Sequence, residues 1–416
     1  MEDDFSFHGV NPPFLPPGFL GLRARAPVDS TSSILAAPPP PLRAPPRLPD
    51  GVVEDIFLRI PPDDPARLLR SALACKRWGR LIADRGFRRR YRERHGRAPM
   101  LLGFLANLID NAGIARFLPV ATAFRPERAD RDGYRAHDAR HGRVLLNRIG
   151  DDAPPHDAAA AALVVWEPTT GDQWPLPLLE RPQPVLHWNA AVLCAAAAAE
   201  PCDHLDCHHG HFAVVFVGID AQEMFSYMYS SEFNVWMEGT TAGIPDEPLH
   251  ESSPSALARN GLYFLFNDET HMLRYDLATA GMSVIALPYR PDARRIVLMV
   301  MEDDALGYAE VDYFGRTLRI IAMQEGNDDG WELRILVQLR EFLPPRALRC
   351  SPDVVSVAND VGIVFLSTTD GLYTFDLNSG NCKRVMSNRF YDIVPYAGFY
   401  TPAFFGCDFS AKTGDL

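Results

Sequence analysis

The chain has 416 residues, of which 47% are hydrophobic, and carries a formal net charge of −12 at pH 7. This length predicts two or three domains, or one large repeat domain with a small module, and the apolar content suffices for a large core. No apolar run is long enough to span a bilayer, and the acidic first residues lack the pattern of a secretory signal, so neither membrane insertion nor secretion is predicted. Seven scattered cysteines, an odd number, favour reduced thiols in the cytoplasm or the nucleus.

Residues 1–46 form the first segment, which is rich in Pro, Ala and Ser. Such a composition provides no packing face and favours extended or disordered conformations. Large apolar side chains such as Phe14 and Phe19 are exceptions that are able to dock elsewhere. We predict a mostly disordered Pro/Ala-rich arm here.

The next stretch, residues 48–82, is predicted to form three short helices. The first starts near Pro49 and ends before Pro61, and its apolar residues share one face at helical spacing: Val52, Val53, Ile56, Phe57 and Ile60. Asp64 is a favourable N-cap and Pro65 a favourable first residue of the second helix, whose apolar side comprises Leu68, Leu69, Ala72 and Leu73. The third helix begins near Cys75 and carries Leu81 and Ile82. So small a unit buries little apolar surface alone, which predicts a partner.

This helical stretch resembles an F-box. The resemblance lies in the order and spacing of residues 48–49, 56–61, 68–69, 75–78 and 81–82. It implies that residues 47–96, an F-box and a linker helix, bind an SKP-family adaptor of a cullin–RING ubiquitin ligase. The residues that the resemblance assigns to adaptor binding are Leu48, Pro49, Ile56, Leu58, Ile60, Pro61, Leu68, Leu73, Lys76 and Trp78. The alternative is an ordinary three-helix piece of a larger core.

The segment from Arg43 to Arg97 is basic within an acidic chain, with fifteen Lys and Arg against seven Asp and Glu. A basic segment is a feature of nucleic-acid-binding proteins. Here the arginines of residues 85–92 fit the polar side of a helix whose apolar side is Phe87 and Tyr91, and no array of base-stacking aromatic residues accompanies them. Nucleic-acid binding is therefore not predicted.

After Gly96 the pattern changes to short apolar runs separated by Gly, Asp, Asn and Pro, which is typical of many short strands. Residues 258–281 and 358–380 repeat the same pattern: a loop, an apolar strand, a polar turn, and a second strand ending in an aromatic residue, Asp and Leu. A third copy spans residues 141–146 and 164–171. We expect this last turn to join outer strands, with the Asp side chain accepting hydrogen bonds from turn amides and Gly taking a positive φ.

A repeat period near ~50 residues with paired strands is typical of propeller blades of kelch-like length. The prediction is an α+β multi-domain protein: a small N-terminal three-helix F-box followed by an all-β kelch-like propeller of about six blades. The propeller would span residues 97–416, with a first blade starting at residues 101–120. The alternative is a β-sandwich or a set of stacked hairpins.

With the helices and the repeats taken together, the chain resembles the large grass F-box family, which pairs an N-terminal F-box with a C-terminal propeller-like associated region. The additional resemblance lies in residues 97–104, 141–146 and 165–171. It implies a binding domain without specifying what it binds.

A cluster of Cys and His at residues 202–211 contains possible zinc ligands, chiefly Cys202, His204, Cys207 and His209. Structural zinc sites usually draw ligand pairs from two separated segments, and the sequence shows no second pair. The cluster also lies in a predicted polar loop between two strands. We therefore predict neither a metal nor any other cofactor.

The sequence contains no P-loop, GxSxG, HExxH or dinucleotide-binding glycine motif. The resemblance thus implies a non-catalytic substrate receptor, with an SKP-family adaptor and an unknown target protein as partners. One alternative is a stand-alone propeller that binds a glycan or small ligand and retains a degenerate F-box. A propeller enzyme is a third class, supported only by analogy of fold.

Overall fold

The computed structural model describes most of the chain after the first segment, and the predicted arm at residues 1–46 lies outside the described residues. The described ranges are residues 48–61, 65–95, 100–108, 113–120, 126, 129–149, 162–195, 204, 207, 210–251, 253–288, 293–324 and 330–398. No helix within these ranges combines the length and apolar character needed to cross a membrane.

Four short helices come first: α1 (Asp50–Phe57), α2 (Pro65–Ala74), α3 (Lys76–Ala83) and α4 (Arg85–His95). The predicted helix starts are confirmed, because Pro49 is the N-cap of α1 and Pro65 is the first residue of α2. Asp64, the predicted cap of α2, lies outside the described residues. The helices share one apolar core that includes Val53, Phe57, Leu68, Ala72, Ile82, Phe87 and Tyr91.

Six four-stranded antiparallel sheets follow, which are the blades of a β-propeller. Blade 1 comprises β24 (Ile393–Gly398), β1 (Met100–Leu108), β2 (Ile114–Pro119) and β3 (Asp130–Asp132). Blade 2 comprises β4 (Tyr134–Arg140), β5 (Arg143–Arg148), β6 (Leu163–Trp166) and β7 (Gln173–Pro175). Blade 3 comprises β8 (His187–Cys194), β9 (Phe212–Ile219), β10 (Met224–Ser230) and β11 (Val235–Ala242).

The remaining three blades have the same strand order. Blade 4 comprises β12 (Ala256–Ala258), β13 (Gly261–Leu265), β14 (His271–Asp276) and β15 (Met282–Ala286). Blade 5 comprises β16 (Ala293–Val300), β17 (Leu306–Asp312), β18 (Thr317–Met323) and β19 (Trp331–Gln338). Blade 6 comprises β20 (Asp353–Ala358), β21 (Ile363–Thr368), β22 (Gly371–Asp376) and β23 (Cys382–Met386). Six blades and a start at β1 confirm the propeller prediction and exclude the sandwich alternative.

The first strand of each blade lies innermost, as shown by contacts of β4 with β8 and β24, and of β16 with β12 and β20. The second strands of blades 2 to 6 are almost wholly buried, and every residue of β9 is buried. The fourth strands, such as β11 and β15, are mostly exposed. Burial therefore decreases from the inner to the outer strands of a blade. Apolar side chains of the inner strands fill the space between adjacent blades. One such cluster joins β5 and β6 to β8, β9 and β10 through Leu145, Val165, Trp188, Val192, Val214, Phe216 and Phe225.

The ring is closed by the last described strand. In blade 1, β24 pairs antiparallel with β1, so that Val394 lies opposite Leu105 and Ile393 opposite Ala106. Tyr396 in the same strand is buried, and its hydroxyl donates a hydrogen bond to the Gly142 carbonyl at 3.1 Å. The C-terminal end of the propeller therefore completes its first blade.

The repeated turn joins the third and fourth strands of a blade, which confirms the prediction. The Asp276 carboxylate accepts hydrogen bonds from the Ala278 and Thr279 amides at 3.0 and 2.9 Å. The Asp376 carboxylate accepts equivalent bonds from the amides of residues 378 and 379. The glycine part of the prediction is half wrong: Gly380 has φ +69°, but in blade 4 the residue with positive φ is Ala280, not Gly281.

Candidate functional site

The predicted F-box helices contain both a buried core and an exposed apolar stripe. Val53 and Phe57 of α1 pack into the helical core, and Phe57 contacts the Trp78 ring edge-on with centroids 5.4 Å apart. On the other side of the helix, Val52 and Ile56 are exposed, at 45% and 50%. The single apolar face predicted for α1 is therefore two faces, of which one is buried and one meets solvent.

Leu48, just before α1, extends this exposed face and is itself 50% exposed. Leu48, Val52 and Ile56 are spaced four residues apart, so they follow one another along one side of α1 and the turn before it. We call these three residues the apolar stripe. Exposed apolar side chains that cluster in this way on a small helical unit are typical of protein interaction sites.

The ten residues predicted to bind the adaptor divide into groups. Exposed residues are Leu48, Pro49, Ile56, Pro61 and Lys76. Residues buried in the helical core are Leu58, Ile60 and Leu68, while Trp78 is half-buried against that core. The side chain of Leu73 lies outside what the structure describes. Val52 belongs to the stripe but was not among the predicted residues, although its position four residues before Ile56 was the signal for it.

Polar contacts fix the stripe relative to the other helices. The Arg77 guanidinium of α3 donates to the Asp50 carboxylate at 2.5 Å and to the Leu48 carbonyl at 2.7 Å. The Tyr91 hydroxyl of α4 donates to the Ile60 carbonyl at 2.8 Å. Charge-assisted bonds of this kind hold the residues at the start of α1 in place. Because Arg77 binds the Leu48 carbonyl, the backbone that carries the exposed Leu48 side chain is held in place.

The innermost strands of the propeller line a second candidate site, a cavity of about 50 Å³ bordered by Asp138, Arg140, Ser255 and Asn359. Arg140 pairs with the Asp138 carboxylate at 2.5 Å, and the Val192 amide donates to that carboxylate at 2.9 Å. Burial raises the pKa of Asp138, which Arg140 partly opposes. The cavity has room for a few water molecules but not for a ligand that requires a pocket of roughly 300 Å³ or more. The hydrogen bond from Val192 to Asp138 links blades 2 and 3.

The Cys/His loop differs from the prediction. Of the predicted residues, His204 and Cys207 are described, whereas Cys202 and His209 lie outside the described residues. The sequence shows no second ligand pair, but the structure brings one together. His141 and Cys194 supply it, and the potential ligand atoms of all four residues, His141, Cys194, His204 and Cys207, lie within 4.8 Å of one another. The two members of this pair lie far apart along the chain, so no local motif indicates them.

Comparison with known proteins identifies one family. Residues 45–90 match the F-box domain. Among curated proteins, no sequence matches the chain.

Several solved structures align with the chain at low identity. The WD40 domain of SCAP from fission yeast is 10% identical with a TM-score of 0.36, covering 68% of this chain and 59% of that one. A functionally unknown protein from Desulfotomaculum acetoxidans DSM 771 is 14% identical with a TM-score of 0.38, covering 68% and 79%. A chain of a nidogen/laminin complex is 8% identical with a TM-score of 0.37, covering 70% and 97%. Such distant likeness carries no argument about function. The chain thus contains an F-box domain at residues 45–90, followed by a six-bladed β-propeller.

Proposed function

We propose that this protein is the substrate-recognition subunit of a cullin–RING (SCF-type) ubiquitin ligase. The F-box would bind an SKP-family adaptor, and the propeller would bind the target protein. The observation that carries the proposal is the F-box match at residues 45–90 together with the apolar stripe exposed on α1. F-box domains typically bind adaptors of this family in such ligases.

The energetics support an interface at the stripe. Leu48, Val52 and Ile56 expose apolar surface that water solvates poorly, and covering such surface is favourable by about 25 cal/mol per Å². Their neighbours Leu58, Ile60 and Leu68 are buried in the helical core, so their contribution is to stabilise the fold of the helical unit. The adaptor-binding residues are then the exposed members of the predicted set, with Val52 added.

In this proposal the chain performs no bond chemistry. Its contribution is to hold a target near a ubiquitin-loaded partner, which raises the effective concentration of the reacting groups. We place the protein in the cytoplasm or the nucleus. We also assign it to the grass-type F-box family and describe its propeller as kelch-like, on the sequence resemblance and the repeat period given above.

The first prediction is that the full chain forms a complex with an SKP-family adaptor at micromolar concentration. The double variant Leu48→Ala and Pro49→Ala should weaken this complex by ~10-fold or more, because large anchors dominate such interfaces. Ile56→Ala should also weaken it. A pull-down titration with purified adaptor measures each affinity, and circular dichroism checks that the variants remain folded.

The chain offers closely matched controls on the propeller. Ile244 is 52% exposed and Leu333 is 52% exposed, almost the same as Ile56 and Leu48. Ile244→Ala and Leu333→Ala should leave adaptor binding unchanged. Absence of any complex with the wild-type chain would contradict the proposal and favour a stand-alone propeller module with a degenerate F-box. Equal loss in the stripe and control variants would contradict the placement of the interface.

A further inference from the structure

Four metal-ligating side chains from three separate parts of the chain meet beside blades 2 and 3. His141 occupies the two-residue turn between β4 and β5, and Cys194 is the last residue of β8. His204 and Cys207 lie in the connection between β8 and β9. We propose that His141, Cys194, His204 and Cys207 form a structural Zn²⁺ site.

The distances fit tetrahedral coordination. Zinc bonds of about 2.3 Å to sulfur and 2.0–2.1 Å to nitrogen place a sulfur and a nitrogen ligand roughly 3.6 Å apart. The Cys194 and Cys207 sulfurs lie 3.4 and 3.6 Å from Nδ1 of His204. All four potential ligand atoms lie within 4.8 Å of one another, so side-chain rotations would have to bring the widest pairs closer by up to roughly 1 Å.

The ligand arrangement also follows the pattern of structural zinc sites. His204 and Cys207 are separated by two residues, a short spacing of the kind that zinc-binding pairs use. The second pair, His141 and Cys194, comes from the ends of strands in two different blades. Two pairs from separated segments, with two sulfur and two nitrogen donors, complete four coordination positions without water.

Contacts within the cluster hold the two histidines beside the cysteines. The Cys194 amide donates to Nδ1 of His141 at 3.3 Å, a contact that a metal ion bound at this nitrogen would replace. The His141 and His204 rings stack with centroids 3.7 Å apart, so the two imidazoles lie together at the cluster.

Arg143 is buried two residues after His141 and contacts the backbone just beyond Cys207. Its guanidinium donates to the Gly210 carbonyl at 2.5 Å. When Zn²⁺ binds, each thiol releases one proton, and the two thiolates balance the charge of the ion.

The backbone holds two of the ligands in unusual conformations. His141 has φ +53° and is followed by Gly142 at φ +80°, which together form a two-residue turn of the type in which Asn-Gly is preferred. His204 also has positive φ, at +50°. Such conformations are unfavourable for a histidine and persist where the surroundings over-determine the position. Zinc coordination would add to those constraints.

A closed set of four protein ligands indicates a structural role. The ion would connect the β4–β5 turn of blade 2 to the end of β8 in blade 3 and to the segment that follows it. It would thereby reinforce the contact between these two blades.

The test uses the purified full chain. We expect about one zinc ion per chain by elemental analysis, and Co²⁺ in its place should give thiolate charge-transfer bands and the intense visible bands of tetrahedral cobalt. His141→Asn should lower zinc affinity by at least about 100-fold, since losing even a partner that only orients a ligand costs about 10- to 100-fold. Asn is favoured in this turn, so the hairpin should remain folded. Cys207→Ser should reduce the charge-transfer absorption of the cobalt-bound chain, because one of the two sulfur ligands is removed.

Matched controls distinguish this cluster from the rest of the chain. His187 and Cys382 are half-buried like His204 and Cys207, and His187→Asn and Cys382→Ser should retain zinc. The proposal is overturned if zinc and cobalt fail to bind, or if mass spectrometry shows a disulfide between Cys194 and Cys207. It is also overturned if His141→Asn retains zinc while Cys202→Ser or His209→Asn loses it, because the loop alone would then hold the metal.

Discussion

At the scale of single residues, the same residue type packs in the core at one position and is exposed to solvent at another. Ile56 lies in α1 and Ile60 in the turn that follows it; both are predicted on one apolar face, yet Ile56 is exposed and Ile60 is buried. Helical periodicity identifies both as apolar positions but does not tell a core contact from a partner contact, since each requires an apolar side chain. Only the packing of α2, α3 and α4 against α1 separates the two.

The repeated turn offers a residue-scale prediction about stability. Ala280 has φ +54° and Gly380 has φ +69° at equivalent positions of blades 4 and 6. Glycine accepts this conformation readily, whereas a side chain there costs about 1–2 kcal/mol. We expect Ala280→Gly to raise the free energy of unfolding by about 0.5 kcal/mol, after its greater unfolded-state entropy is subtracted. Gly380→Ala should lower it by about 1 kcal/mol.

Denaturant titration of the two variants against the wild-type chain measures both changes. A Cβ atom added at Gly380 would meet no atom within 4 Å, so its effect reports the backbone alone. Gly243, which also has open space around it but no positive φ, provides the control. If Gly380→Ala and Gly243→Ala change stability equally, backbone strain at the turn is not the cause.

At the scale of elements, the strands found most readily from sequence are the buried middle strands of the blades. The runs at β9, β13 and β21 are apolar on both faces, and the structure buries them between neighbouring sheets. The fourth strands, such as β15, are exposed or half-buried along their whole length, so burial between sheets does not define them. Their position is set by hydrogen bonding to the third strand, as in the β14–β15 pairing, rather than by apolar pattern.

Strand β24 carries the element-scale prediction. Val394 is buried and packs in the cluster that includes Leu105 and Phe117 of blade 1. Val394→Asp would place a carboxylate among apolar side chains and should reduce the free energy of unfolding by more than about 3 kcal/mol. Val284→Asp on the exposed strand β15 should change it by less than about 0.5 kcal/mol.

Both variants are compared by guanidinium denaturation followed through tryptophan fluorescence. Because β24 closes the ring, the Val394→Asp chain should lose cooperativity across the propeller as well as stability. A Val394→Asp variant as stable as Val284→Asp would show that closure by β24 contributes little.

At the scale of the whole molecule, the helical unit and the propeller each have apolar clusters of their own. Phe87 and Tyr91 of α4 pack in the helical core, and their rings lie 5.9 Å apart. The blade clusters are composed of strand and loop residues of the propeller. Because these apolar side chains are buried within their own unit, each unit has its own core. Separate cores favour independent folding of the helical unit and the propeller.

We therefore predict that a fragment beginning at Arg97 folds without the helices. Circular dichroism should show a β-type spectrum, and heating should give one cooperative transition near that of the propeller in the full chain. A shorter fragment that also lacks β24 should be unstable, since it leaves β1 as an unpaired edge. An aggregated or unfolded fragment beginning at Arg97 would show that the helices are part of the propeller's core.

The sequence by itself determined the local structure and the type of fold. Helix starts at Pro49 and Pro65, the turn at Asp276, and the repeated strand pairs depend on nearby residues, so their signals are local. The tertiary structure alone decided three other features: the exposure of Leu48 and Ile56, the closure of blade 1 by β24, and the meeting of His141 with Cys194. Each of these joins or separates residues through packing between distant parts of the chain, and no local pattern encodes which distant surfaces will meet.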